Sequence, residues 1–310
     1  MEFHHISVLL NECIDGLDIK PDGIYVDGTA GGAGHSSHIA KHLDAKLGGR
    51  LISFDRDPDA VKIATERLSV FECAQVVNSN FDNMQNVLEQ MGIQKVDGVL
   101  LDLGVSSHQL DTADRGFSYN YDAPLDMRMS QSGTSAKDIV NTYDINELAR
   151  IIREYSEEKF AYQIAKNIAK AREQKPIETT FELAEIIKRS MPAAAKRDKN
   201  PCKRTFQALR IAVNEELDSL SKGLDSAFDI LAPGGRLVVI TFHSLEDRIV
   251  KQRFKSWCEG CTCPPGCPVC ICGNTPKAKL VNKKPIVASQ EELAVNKRSQ
   301  SAKLRILEKI

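Results

Sequence analysis

Four glycines within seven residues constrain this chain more than any other feature. They lie in Asp27-Gly28-Thr29-Ala30-Gly31-Gly32-Ala33-Gly34-His35-Ser36. An apolar run, Ile24-Tyr25-Val26-Asp27, precedes them and reads as a buried strand; an amphipathic stretch through Ile39 follows and reads as a helix. Glycines let the backbone turn tightly and approach a ligand closely, and a helix start offers amides without helical partners. Asp55 lies 21 residues beyond Gly34, at the end of the next expected strand, Leu51-Ile52-Ser53-Phe54-Asp55. A carboxylate there can accept hydrogen bonds from both hydroxyls of a ribose. Strand, glycine turn, helix and acid at this spacing point to a cofactor containing adenosine. A glycine turn that serves packing alone is the alternative.

The alternation continues. A helix is expected from about Pro58, a residue suited to a first helical turn, to Leu68. Val76–Asn78 reads as a short strand, and Val96 to Leu103 as one covered on both faces, being almost continuously apolar. This order means an α/β fold with a parallel sheet wound in right-handed crossovers. From about Gln109 the pattern breaks. Residues 111–133 are rich in Asp, Ser, Gly and Met without a period, and read as a functional loop. Helices follow, with capping pairs Asp144/Glu147 and Thr179/Glu182, and one long helix is expected over 204–224. After the turn Pro233-Gly234-Gly235, Arg236 to Phe242 restores the strand pattern. The expected organisation is a discontinuous α/β core, 1–108 and 211–310, with a mostly helical insertion over 109–210.

Composition narrows the classes of function. The 310 residues are 42% hydrophobic and 27% charged, which suits a globular enzyme rather than a disordered chain. Lys+Arg 41 against Asp+Glu 42 excludes a uniformly basic coat for nucleic acid. Charge is nevertheless uneven: 188–210 holds eight basic residues and one acid, and 273–310 holds nine and three. Such segments suit a polyanion locally, or else a solvated helix face and a polar tail. No stretch approaches the roughly 20 apolar residues of a membrane span. Met1-Glu2-Phe3-His4-His5 lacks the features of a secretory signal, so a cytoplasmic location is expected. Of nine cysteines, six (Cys258, Cys261, Cys263, Cys267, Cys270, Cys272) crowd into 15 residues. The pairs Cys261/Cys263 and Cys270/Cys272 would supply four thiolates to a tetrahedral structural zinc. Their one-residue internal spacing is tighter than the usual two to four, and reduced, metal-free cysteines are the other reading.

The glycine turn alone does not separate a nicotinamide cofactor from S-adenosylmethionine. Leu231-Ala232-Pro233-Gly234-Gly235-Arg236-Leu237 resembles the turn before the fifth strand of class I S-adenosylmethionine-dependent methyltransferases. Asp102 ends the fourth strand, where that fold places a catalytic or acceptor-orienting residue. Longer motifs narrow the resemblance: His5–Leu10, Asp27–Ser36, Phe54–Pro58, Leu100–Ser107, Arg115–Ser118, Pro124–Met129, Arg204–Arg210 and Phe242–Arg248. In order and across almost the whole chain they are similar to the RsmH (MraW) family, bacterial small-subunit ribosomal RNA cytosine-N4 methyltransferases. The resemblance implies methylation of the exocyclic amine of a cytosine in the decoding region of 16S rRNA, with the small ribosomal subunit as partner; it leaves a homodimer open. It places cofactor contacts on Ala33, Gly34, His35, Asp55, Phe81 (against the adenine), Asp102 and Gln109.

The chemistry sets further expectations. The cytosine amine is a weak nucleophile because its lone pair is delocalised, so a group must accept its N–H bonds and later take a proton. Asp102 is the candidate, although it can serve the cofactor instead. DNA amino-methyltransferases commonly carry Asp/Asn/Ser-Pro-Pro-aromatic here, whereas this chain has Asp102-Leu103-Gly104-Val105. Phe117 or Tyr119 would then supply a stacking surface for the base. Arg115, Arg128, Arg204 and Arg210 are candidates for phosphate contacts, each with an intramolecular ion pair as its other use. His243-Ser244, after the last core strand, positions the base or caps the next helix, Ser244 and Asp247 having capping spacing. A Ser/His hydrolase is a poor reading, since no Gly-x-Ser-x-Gly elbow occurs. Methylation of another substrate, and a non-catalytic RNA-binding factor, are the competing readings.

Overall fold

Seven strands form one sheet in the order β3-β2-β1-β4-β5-β7-β6. They are β1 (Ile24–Asp27), β2 (Arg50–Asp55), β3 (Ala74–Asn78), β4 (Val96–Asp102), β5 (Leu231–Thr241), β6 (Ala278–Leu280) and β7 (Lys303–Lys309). This is a computed structural model, and it describes residues 7–192, 200–263 and 271–310. The first five strands run parallel, and β7 pairs antiparallel to both β5 and β6. Strand order reverses at β1, which lies between β2 and β4, so the crevice beyond its carboxyl end is where ligands bind in open α/β sheets.

The apolar strands are doubly covered. In β4, Val99 and Leu101 join a buried cluster with Val26, Ile52, Phe54, Leu237 and Val239. Leu100, one residue out of phase, joins a second with Tyr25, Leu51, Val238 and Ile240. A two-residue side-chain period thus feeds both faces. Each fully buried Leu, Ile or Val contributes roughly 1.5–3 kcal/mol of transfer free energy. The helices Gly34–His42 and Pro58–Leu68 link the first three strands, the latter capped by Asp57, whose carboxylate accepts from the Asp59 amide.

Two compact units emerge: 1–104 with 218–310, and 105–217. The expected divisions stood a few residues further on at 108/109 and earlier at 210/211. The 105–217 unit has its own core, in which helices Ile145–Ser156, Ala161–Arg172, Thr180–Ser190 and Cys202–Asn214 bury residues such as Ile152, Ile164, Ile187 and Leu209. The Asp144 carboxylate accepts from the Glu147 amide, and Thr179 and Glu182 form a reciprocal capping box.

Two sequence expectations need correction. The long helix over 204–224 is two helices, Cys202–Asn214 and Glu216–Ile230. Glu215 between them is left-handed at φ 49°, while the buried Asn214 donates to Met127 O at 2.7 Å and accepts from Met129 N at 2.8 Å. The Pro233-Gly234-Gly235 turn does not precede the fifth strand but interrupts it. Leu231 already pairs with Val96, and the ladder resumes at Arg236 opposite Gly98, with Gly234 at φ 79°. Among the described residues, no helix is long and apolar enough to cross a membrane.

Candidate active site

Three carboxylates stand at or beside the carboxyl ends of adjacent strands: Asp27 on β1, Asp55 on β2 and Asp102 on β4. Asp27 organises the turn after it. One oxygen accepts from the amide and hydroxyl of Thr29, and the other from Ser36 at 2.6 Å. The Thr29 hydroxyl in turn accepts from the Asp102 amide at 2.7 Å, joining the ends of β1 and β4. Sequence reasoning assigned no role to Asp27 or Thr29. The signal was present in Asp-Gly-Thr, since Asp and Thr readily bond amides and hydroxyls two residues away.

The glycine loop is held open by its conformation. Gly31 and Ala33 are left-handed at φ 49° and 59°. Ala33, fully buried, precedes the helix that starts at Gly34, and its carbonyl accepts from Ser37. One Asp55 oxygen accepts from the Gly31 amide at 2.8 Å and the other from the Asp57 amide at 2.9 Å. Those bonds fix the carboxylate and leave each oxygen a second lone pair. Burial pushes its pKa up to about 6 against the pull of the Asp57 and Gly31 amides.

His35 and Asp102 form the floor. Because Val8 O can only accept, His35 Nε2 donates to it at 3.0 Å, which turns Nδ1 toward Asp102 Oδ2 at 3.6 Å. That approach is attractive only with a proton between the two. Burial, then the carboxylates of Asp27 and Glu246, drive the Asp102 carboxyl well above the usual carboxylate range. Asp102 Oδ1 is buried and meets no hydrogen-bond partner among the described residues. A buried, unmatched acceptor costs free energy unless something supplies its donor.

Phe81 begins a short turn after β3. Its ring lies in the space left by the missing side chain of Gly223: a Cβ there would fall 2.4 Å from two ring carbons. A Cβ on Gly28 would likewise sit 3.0 Å from the Phe81 Cβ. Phe81 is therefore partly a packing residue, with its remaining surface half-buried. Gln109 belongs to the 105–217 unit. Its side-chain carbonyl accepts from the Ser106 amide at 3.0 Å, closing a capping box on the helix Ser107–Asp111.

The arginines are largely committed elsewhere. Arg128 grips Asp126 through two nitrogens at 2.9 and 2.6 Å, and Arg210 grips Glu216 at 2.8 Å through two. Arg115 donates to the carbonyls of Arg128 and Met129. Arg204 is exposed, near Glu158 at 3.7 Å. Lys196, Arg197 and Lys199 of the basic segment lie outside the described residues. Phe117 is buried in the helical core, which removes it as a stacking surface; Tyr119 packs edge-on to Phe206 at 5.4 Å and stays half-exposed. His243, not Ser244, caps the helix Ser244–Cys258: its ring accepts from the Glu246 amide, and Glu246 returns bonds to the Phe242 and His243 amides. Asp247, expected to pair with Ser244, instead binds Arg305 at 2.7 Å and Lys303 at 3.1 Å. The thiols of Cys261, Cys263 and Cys272 gather within 4.8 Å, while Cys270 and Cys267 lie outside the described residues.

A cavity of about 430 Å³ opens between the starts of β2 and β3, at the far end of the sheet from Asp55, and plays no part in this site. What the crevice offers instead is clustered acid, with Asp27 buried and Asp55 and Asp102 partly exposed. A cationic ligand relieves the mutual repulsion of Asp27, Asp55 and Asp102, and hydroxyl or ammonium donors satisfy Asp55 and Asp102 Oδ1.

A parallel sheet with a single antiparallel β7 inserted between β5 and β6, a glycine turn after β1 and an acid ending β2 define the class I S-adenosylmethionine-dependent methyltransferase fold. Within that class, the chain belongs to the MraW methylase family, whose model matches residues 2–310. A ribosomal RNA small subunit methyltransferase H from Lachnospira eligens is 59% identical over 313 residues, 100% of this chain and 99% of that one. Proteins of the same name from Ruminiclostridium cellulolyticum and Clostridioides difficile are each 55% identical, with 100% of both chains covered.

Proposed function

We propose that this protein transfers a methyl group from S-adenosylmethionine to the exocyclic N4 amine of a cytosine in the decoding region of 16S rRNA, acting on the small ribosomal subunit. The observation that carries the reading is the buried, partnerless Oδ1 of Asp102 at the end of β4, beside a carboxylate already aimed by two amides. Clustered acids at the strand ends suit a donor that bears both a sulfonium and an ammonium charge. When bound, that donor supplies an activated methyl group, so alignment with the acceptor accounts for much of the rate.

The chain's residues divide the remaining work. Asp55 accepts from the ribose hydroxyls, and the Ala33–His35 segment lines the donor with the helix start. Asp102 accepts an N–H of the cytosine amine through Oδ1, which localises the nitrogen lone pair. Once the amine has taken the methyl group its nitrogen is cationic, and its proton would pass to Oδ1 of an ionised Asp102, the proton shared with His35 residing on the imidazole. A raised proton affinity makes this carboxylate a better acceptor than an ordinary one. His35, tethered to Val8, holds Oδ2 and so fixes the direction of Oδ1. The 105–217 unit recognises the RNA, with Tyr119 as a surface for an unpaired base and Lys203 and Arg204, both exposed, on its phosphates.

Labelled S-adenosylmethionine incubated with small subunits that lack the modification tests this directly. Label recovered in N4-methylcytidine after nuclease digestion is the expected result. Cofactor binding without label in RNA overturns the substrate assignment, and label in another nucleoside overturns the acceptor atom.

A further inference from the structure

Between the helix Ser244–Cys258 and β6 the chain makes an excursion with a fastened neck. The Lys277 amide donates to Trp257 O at 2.8 Å, and the Asn274 side chain donates to the carbonyls of Glu259 and Gly260 at 3.2 and 2.8 Å. Trp257 itself stacks on Phe228 with centroids 4.1 Å apart, so the neck is seated on the sheet unit's core. Among the described residues beyond the neck, Cys261 and Cys272 are exposed, and Ile271 is 82% exposed.

What gathers there is sulfur. The Sγ atoms of Cys261, Cys263 and Cys272 all lie within 4.8 Å of one another, and those of Cys261 and Cys272 are 3.6 Å apart. A disulfide requires about 2.05 Å. Two thiolates on one tetrahedral zinc, each with a bond of about 2.3 Å, stand about 3.8 Å apart. Amides point at the same sulfurs: Thr262 N and Asn274 N toward Cys272 at 3.3 and 3.5 Å, and Ile271 N toward Cys263 at 3.3 Å. Such donors stabilise the thiolate form that a metal needs.

The geometry points to a zinc site formed by Cys261, Cys263 and Cys272, which ties the two described limbs of the excursion to each other. The three sulfurs make one face of a tetrahedron and leave a fourth vertex for a further ligand. Binding exchanges each coordinating thiol's proton for a metal bond, so uptake releases protons and weakens as pH falls. The site lies apart from the glycine turn and the strand-end carboxylates, and the methyl-transfer reading does not depend on it.

The test is metal retention by the full-length protein, loaded with zinc under reductant, desalted and analysed for metal. About one zinc per chain is expected. C261S, C263S and C272S should each lower retention at least tenfold, while C73S, at a half-buried cysteine just before β3, should leave it unchanged. Cobalt in place of zinc should give a near-ultraviolet sulfur-to-metal band that the same three variants abolish. Reduced protein that retains no zinc overturns the proposal, as does zinc retained equally by all the variants. A Cys261–Cys272 disulfide in protein prepared without chelator or oxidant also overturns it.

Discussion

The polar side chains that fasten the helical unit and the carboxylates at the strand ends of the sheet unit stand in opposite circumstances. In the 105–217 unit, Arg128 meets Asp126, Arg210 meets Glu216, and Asn214 satisfies three backbone groups of its own unit. At the carboxyl ends of the strands, Asp27, Asp55 and Asp102 gather, and burial together with the neighbouring Asp27 carboxylate raises the proton affinities of Asp55 and Asp102. Matched groups fix a fold. A carboxyl held well above its ordinary proton affinity, with one oxygen unmatched, lowers stability and is retained only where a ligand completes it.

Exchanging residues on either side of this contrast separates the two roles. Asp102→Ala should show the largest effect: methyl transfer falls by about 10²–10⁴-fold, while the melting temperature holds or rises because a strained buried carboxyl has gone. Calorimetric titration of cofactor on the same variant divides the roles of Asp102, since a lost signal makes it a cofactor ligand and an unchanged one an acceptor-side group. An active variant sinks the assignment. The reverse pattern is expected for Asn214→Ala in the helical unit. It strands the Met129 amide and the Met127 carbonyl and releases Met127 from its left-handed φ of 63°, at a cost of about 2–3 kcal/mol. Denaturant unfolding reads that loss, and a midpoint unchanged from the parent protein would deny Asn214 its fastening role.

The smallest effect is one of pH. Asp55 is protonated in the empty site below about 6 and ionised in the unfolded chain above about 4. Between those values the folded protein holds the extra proton, so the ligand-free protein loses stability as pH rises through the window. Cofactor binding to an ionised Asp55 runs the other way: affinity falls below pH 6, by at most tenfold per pH unit, and levels off above it. Asp55→Asn should flatten that profile, and a slope unchanged in this variant would move the titration to another group.

Much of the crevice was legible because it rests on local pattern. Continuous apolar runs gave β2 and β4, and the acids that end them fell at Asp55 and Asp102 by position alone. Asp144 and Thr179 announced their helix starts in the same way. The remainder depends on partners distant in sequence. His35 meets Val8 O and Asp102 across 27 and 67 residues, and Arg210 finds its acid only because the chain turns left-handed at Glu215. Periodicity carries no trace of such a break: the apolar spacing of 204–224 runs on through it. Ser244 shows the same limit at short range: the capping pair falls one residue earlier, at His243 and Glu246.

The place where the helical unit enters the sheet has a consequence for a chain still being made. β4 closes at Asp102, but the strand that completes its second edge begins at Leu231, after the whole of 105–217 and most of the helix Glu216–Ile230. At ribosomal rates of roughly 5–20 residues per second, that edge stays open for about 6–25 s. Throughout the interval the nascent protein carries a four-stranded sheet with one long apolar flank, a template for pairing with a neighbour. The helical unit, built from contacts close in sequence, can meanwhile fold on its own timescale. Chaperone demand during synthesis should therefore peak before residue 231 emerges and fall once β5 has docked.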